Sequence, residues 1–117
     1  MNLREKGAIG EEIAEKYLKK QGYKIIEKNY HASRFSEIDI IARHNNLLVF
    51  VEVKARASLK TGYGREAVDK RNQDNIRYGA QHYMSCKLKK EENCRFDVLE
   101  ITYSGDVPEI QLIQNAF

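Results

Sequence analysis

Two stretches rich in Ile, Val and Phe, residues 37–43 and 47–55, stand on either side of the short spacer His44-Asn45-Asn46. β-Branched and aromatic runs flanking a turn-prone spacer predict an antiparallel hairpin. A lone hairpin is not stable in water, so the rest of the chain must supply further strands and a covering layer. Residues 4–21 do so with Ile9, Ile13, Tyr17 and Leu18 at helical intervals, the pairs Glu12–Lys16 and Glu15–Lys19, and a stop at Gly22. Residues 23–30 read as a first strand, charged enough on one face to lie near an edge. Residues 56–65 read as a basic loop. Residues 66–85 form a second helix with Val68, Ile76, Ala80 and Tyr83 on one face, and residues 95–103 and 109–113 are two more strands around Ser104-Gly105-Asp106. The order is α-β-β-β-α-β-β, without an internal repeat.

At 117 residues the whole chain, 1–117, has the size of one domain. Hydrophobic residues at 42%, charged residues at 32% and a single proline exclude disorder and low-complexity tails. The longest apolar run, residues 47–51, is far short of the ~20 needed to span a bilayer, so no membrane partner is expected. The charged start has no secretory apolar segment, which predicts a cytoplasmic protein. Cys86 and Cys94 are expected to stay reduced, with no zinc spacing around them. Charge is uneven: residues 54–95 carry eleven basic and five acidic groups, whereas residues 96–117 carry four acids and no base. A basic centre of this kind suits a polyanionic partner such as nucleic acid, although a basic surface alone is the plain alternative.

Alternation along a strand should turn Glu37 and Asp39 one way and Ile38 and Ile40 the other, and it places Glu52 beside Lys54. If the strands pair through the spacer, Asp39, Glu52 and Lys54 can converge on one surface, the register itself being left open by the sequence. Charges inside apolar strands need a compensating partner, and a divalent cation is the natural one. Asp39, Glu52 and the backbone carbonyl of Val53 are hard oxygen donors that could hold Mg²⁺ or Mn²⁺ and leave positions open for water and a phosphate oxygen. Lys54 would stabilise charge on phosphorus or orient the attacking water. An exposed sheet face with a Glu52–Lys54 neighbour pair is the competing reading at this point. Around the group, Arg56, Lys60 and Arg65 follow the strand and Lys70 and Arg71 enter the second helix. These five should track a phosphate backbone.

Asp39, twelve residues, then Glu52-Val53-Lys54 resembles the PD-(D/E)XK nuclease signature. Gly7-x-x-Gly10-Glu11-x-x-Ala14-x-x-Tyr17-Leu18, Gly22-Tyr23, Asn29-Tyr30, Glu37-Ile38-Asp39, Phe50-Val51-Glu52-Val53-Lys54-x-Arg56, Gly64-x-x-Ala67-Val68 and Arg95-Phe96-Asp97-Val98 together are similar to the small bacterial YraN-like family. The resemblance covers nearly the whole chain. It implies a restriction-endonuclease-like α/β fold, a mixed central β-sheet flanked by helices, as in archaeal Holliday-junction resolvases and transfer-RNA splicing endonucleases. It further implies a Mg²⁺- or Mn²⁺-dependent endonuclease acting on DNA, branched or damaged, and is compatible with a homodimer. Position by position, Asp39 and Glu52 match the metal carboxylates and Lys54 the catalytic lysine. Glu11 matches the helix-one glutamate that completes the acidic cluster in resolvases, and Glu37 the extra acid of the Gly-Glu-Ile-Asp motif. Ser36 departs from that motif's glycine, and Asn72 stands where many members have a lysine.

Other features rank lower. Without the resemblance, Glu11 reads as a helix N-terminal acid favoured by the macrodipole. Gly7-x-x-Gly10 and Gly62-x-Gly64 lack the setting of a nucleotide-binding loop. His31, His44 and His82 read as surface or turn residues, and Tyr83 as core before it is a base-stacking group. The rival in a different class is a nucleic-acid-binding or protein-interaction module that keeps the fold without catalysis.

Overall fold

A computed structural model describes residues 3–56, 68–103 and 105–117. Its elements are α1 (Leu3–Lys20), β1 (Lys24–Ser33), β2 (Ser36–His44), β3 (Leu47–Arg56), α2 (Lys70–Tyr83), β4 (Cys94–Thr102) and β5 (Glu109–Ile113), with a five-residue π-helical turn, Met84–Leu88, continuing α2. The expected order holds, with strand ends within three residues of those read from the sequence. Lys60 and Arg65 with most of the basic loop, Glu66 and Ala67 at the expected start of the second helix, and Ser104 lie outside the described residues.

The strands form one five-stranded mixed sheet in the order β1-β2-β3-β4-β5. β1, β2 and β3 are antiparallel, β3 and β4 are parallel with α2 in the connection, and β4 and β5 are antiparallel. β1 lies at an edge, as its charged face requires. His44 belongs to β2 and pairs with Leu47, leaving a two-residue turn of Asn45 (φ 53) and Asn46 (φ 67). Two positive φ values mark the turn whose twist suits a hairpin, and asparagine tolerates them better than most residues.

The sheet carries one helix on each face. On one side Ala14 and Leu18 of α1 pack with Tyr23, Ile40, Ala42, Val49, Val51, Leu99 and Ile101. α1 ends as expected, with Gly22 at φ 89 and the Tyr23 amide donating to the Leu18 carbonyl at 2.9 Å. On the other side Ala80 and Tyr83 pack with Tyr30, Ile38, Ile41, Leu48 and Phe50. The expected inner positions of the second helix, Val68, Ile76, Ala80 and Tyr83, are all buried. The helix proper starts at Lys70, where Asp69 caps it by accepting from the Asn72 amide at 2.8 Å.

Arg95-Phe96-Asp97-Val98 is a structural knot. Asp97, fully buried, accepts from the Tyr23 hydroxyl, from Arg95 Nε and Nη2, and from the Asn115 amide, all between 2.8 and 3.0 Å. A buried carboxylate is tolerable only with such donors. His44 joins this knot, its ring stacked on Tyr23 at 4.2 Å, so it is not a turn residue. Among the described residues Cys86 and Cys94 are free thiols, and no helix is long and apolar enough to cross a membrane.

Candidate active site

Asp39, Glu52 and Lys54 line one cavity of about 270 Å³ between the sheet and the first turns of α2. Glu52 and Lys54 reach it by strand alternation from Phe50, which packs on the same face. Asp39 reaches it by the same alternation, one residue from Ile40; the irregularity lies at Ile38, which alternation would have put on the opposite face. Ile38 packs on the α2 side and Ile40 on the α1 side, although they are two apart. The adjacent Ile38 and Asp39 therefore both face α2. The same switch occurs in β1, where Lys28 pairs with Glu15 of α1 whereas Tyr30 packs on the α2 side. Between them Asn29 has φ 53. Asn29 and Asp39 fall between the same register pairs, Lys28–Ile40 and Tyr30–Ile38, so both strands turn over together.

The switch releases Asp39 for a side-chain role. The β2–β3 ladder stops at Ile40–Val51, and beyond it the Val53 amide donates to Asp39 Oδ2 at 2.8 Å. The N–H and C=O of one strand residue point to the same side, so the Val53 carbonyl also faces β2. Glu52 is in hydrogen-bond contact with Asp39, and its carboxyl is pushed up to about 9. Burial is the largest cause, followed by the hydrogen bond and charge of Asp39; Lys54 opposes the shift. This is the mark of two carboxylates short of positive charge.

Two of the expected site residues, Glu11 and Arg56, are placed away from the cavity. Glu11 does not line the cavity: its Oε2 accepts from Asn29 Nδ2 at 3.3 Å, so it stands behind the strand switch. Arg56 is turned inward, its side chain 8% exposed, with Nη2 3.9 Å from Glu100 Oε2 and Nε donating to Thr102 Oγ1 at 3.1 Å. Its guanidinium is committed to the protein rather than to an outside phosphate. Lys70 is exposed at the start of α2 and pairs with Asp74, and Arg71 beside it is exposed. Lys60 and Arg65 are outside the described residues.

The cavity also has walls that sequence spacing did not reveal. His31, Arg34 and Phe35 come from the β1–β2 hairpin, and Asn72 and Asn75 from α2. The departure at Ser36 has a structural account: its buried hydroxyl donates to the Asn75 carbonyl at 2.6 Å, tying β2 to α2. A Cβ on Gly79 would lie 2.7 Å from that hydroxyl oxygen and 3.0 Å from Ile38 Cδ1, so the helix approaches this closely only because residue 79 is glycine. Asn72, the second departure, lines the cavity itself and brings an amide to it.

Residues 10–101 match the uncharacterised protein family UPF0102. The chain belongs to UPF0102. Relatives of that family run along its full length. The UPF0102 protein of Acetivibrio thermocellus is 48% identical over 121 residues, covering 99% of this chain and 93% of that one. The UPF0102 protein of Caldicellulosiruptor saccharolyticus is 44% identical with both chains fully covered, and that of Dictyoglomus thermophilum 40% identical, again with both fully covered. UPF0102 membership agrees with the family resemblance carried by the motifs, and it brings no activity with it.

Proposed function

We propose that this UPF0102 protein is a metal-dependent endonuclease with a restriction-endonuclease-like fold that hydrolyses the phosphodiester backbone of DNA. The observation that carries this reading is Asp39, held by the Val53 amide at 2.8 Å, beside Glu52, with Lys54 in the same cavity. The mixed five-stranded sheet with a helix on each face is the architecture the reading requires.

The donor set fits Mg²⁺ or Mn²⁺. Among the described residues no group of three or more His, Cys, Asp or Glu side chains is arranged around a common point. What the site offers is Asp39, Glu52 and the Val53 carbonyl, with a third carboxylate, Glu37, also in the cavity wall. A hard cation that keeps several waters and takes a phosphate oxygen suits so sparse a set, whereas a caged zinc does not. Glu52, held protonated by burial and by Asp39, would lose its proton as the cation supplies the missing positive charge. When bound, such an ion polarises the phosphoryl group and lowers the pKa of water. Lys54 would place its ammonium against charge growing on the phosphorus, and Asp39 would keep Glu52 and Val53 in register. Lys70 and Arg71, exposed at the entry of α2, would hold the flanking backbone by charge.

The test is a panel of labelled duplex, single-strand, flap and four-way-junction substrates incubated with Mg²⁺ or Mn²⁺, comparing wild type with Glu52→Ala. Cleavage by wild type that is lost in Glu52→Ala is the expected result. Cleavage persisting in the variant implicates a contaminant, and binding without any cleavage makes the protein a nucleic-acid-binding module.

A further inference from the structure

Phe35 is 69% exposed at the tip of the β1–β2 hairpin, whereas the other three phenylalanines are packed: Phe50 is in the core and Phe117 stacks on Phe96. An exposed aromatic ring at a turn is ordinarily a weak signal. Here three further observations bear on it. The tip lines the same cavity as Asp39, Glu52 and Lys54. Its neighbour Arg34 lies with the guanidinium carbon 5.1 Å from the ring centroid, so a flat cation and a flat ring occupy one spot. The tip is also fastened: the Phe35 amide donates to Ser33 Oγ at 3.2 Å, Ser33 pairs with Ser36, and Ser36 is bonded to the Asn75 carbonyl of α2. The ring is thus held out in solvent rather than left there by a loose loop.

We propose that Arg34 and Phe35 form a base-stacking subsite that takes one unpaired nucleobase next to the phosphodiester at Asp39 and Glu52, and so selects DNA with an unpaired nucleotide at the cleaved position. This rests on the nuclease reading above and gives it a substrate class. A base is attached through its sugar to the phosphate it follows, so backbone at the carboxylates brings a base to the cavity rim. Inside a duplex both faces of that base are covered by its neighbours, and Phe35 has nothing to stack on. In a flap or single strand one face is free, and aromatic stacking with a nearby arginine captures it whatever the sequence. A rigid platform avoids the ordering cost that a mobile loop would incur.

The experiment measures fluorescence anisotropy of labelled flap and fully paired duplex DNA in Ca²⁺ buffer, with wild type, Phe35→Ala and Phe35→Trp. Phe35→Ala should weaken flap binding about tenfold, the lower part of the range for one stacked base, and leave duplex binding unchanged. Phe35→Trp should retain flap binding. 2-Aminopurine at the first unpaired position should change its fluorescence with wild type and Phe35→Trp but not with Phe35→Ala. Equal losses on flap and duplex, or no loss on flap, overturn the subsite. Glu52-dependent cleavage whose flap preference survives Phe35→Ala overturns the subsite while leaving the nuclease reading standing. If wild type binds neither DNA, the nuclease reading falls and the subsite with it.

Discussion

Glu52 couples the cavity to pH. In metal-free buffer its folded-state pKa stands near 9, against 4.5 for the unperturbed group. Below 4.5 both folded and unfolded chains hold the proton, and the contribution to stability is complete. Between 4.5 and 9 the unfolded chain releases the proton while the folded one keeps it, so stability falls as pH rises, by at most about 1.4 kcal/mol per unit. Thermal melts in chelator from pH 5 to 9 should show this decline, and Glu52→Gln should flatten it. An identical slope in the variant would assign the decline to other groups. Tyr23 belongs to a different part of the molecule: its hydroxyl donates to the buried Asp97, and Arg95 and Gln114 donate to its oxygen. Tyr23→Phe should cost about 1.5–3 kcal/mol in denaturant unfolding and leave nucleic-acid binding unchanged.

At the scale of elements, the cavity depends on how closely β2 and α2 approach. Gly79→Ala would press a methyl group against Ser36 Oγ and Ile38. The expected cost is about 1–3 kcal/mol, with the helix displaced from the Asp39 strand. Ser36→Gly in the same chain should recover part of the loss by removing the closest atom, although Ile38 remains in the way. Chemical denaturation of the two single variants and the double variant measures the coupling. Additive costs would mean that the two residues do not meet. The strand switch at Asn29 and Asp39 is the second element-scale feature. It lets a carboxylate replace a ladder partner for the Val53 amide, and the cleft opens where the β2–β3 pairing stops.

At the scale of the whole molecule, two arginines near the site should separate. Arg71 is exposed at the entry of α2. Arg71→Ala should weaken DNA binding regardless of sequence and lower the slope of log K against log salt by about 0.9, with stability untouched. Arg56 instead faces the buried Glu100, whose carboxylate oxygens accept no hydrogen bond among the described residues. Arg56→Ala leaves that charge uncompensated and should destabilise the fold by about 3–5 kcal/mol. Melting curves and salt titrations on both variants distinguish the roles; a stable Arg56→Ala with a reduced salt slope would restore it as a phosphate contact.

What could be read from residue order alone were the features set by near neighbours. Helical spacing marked α1 and α2, two positive-φ asparagines suited the β2–β3 turn, and alternation put Glu52 beside Lys54. The Asp39–Glu52 partnership followed only on the condition that the two strands pair through that turn, because residue order does not fix the register. Tertiary contacts decided the remainder. Alternation assumes an uninterrupted pleat, and the coordinated turn at Asn29 and Asp39 broke it, bringing Ile38 to the α2 side with Asp39. The position of Glu11 behind that switch, the inward turn of Arg56 onto Glu100, the parallel pairing of β3 with β4 and the arrival of Phe35 at the cavity rim all join segments distant in sequence. Local propensity specifies a residue's conformation, but which distant group it meets depends on how the layers pack, and no pattern within one segment carries that information.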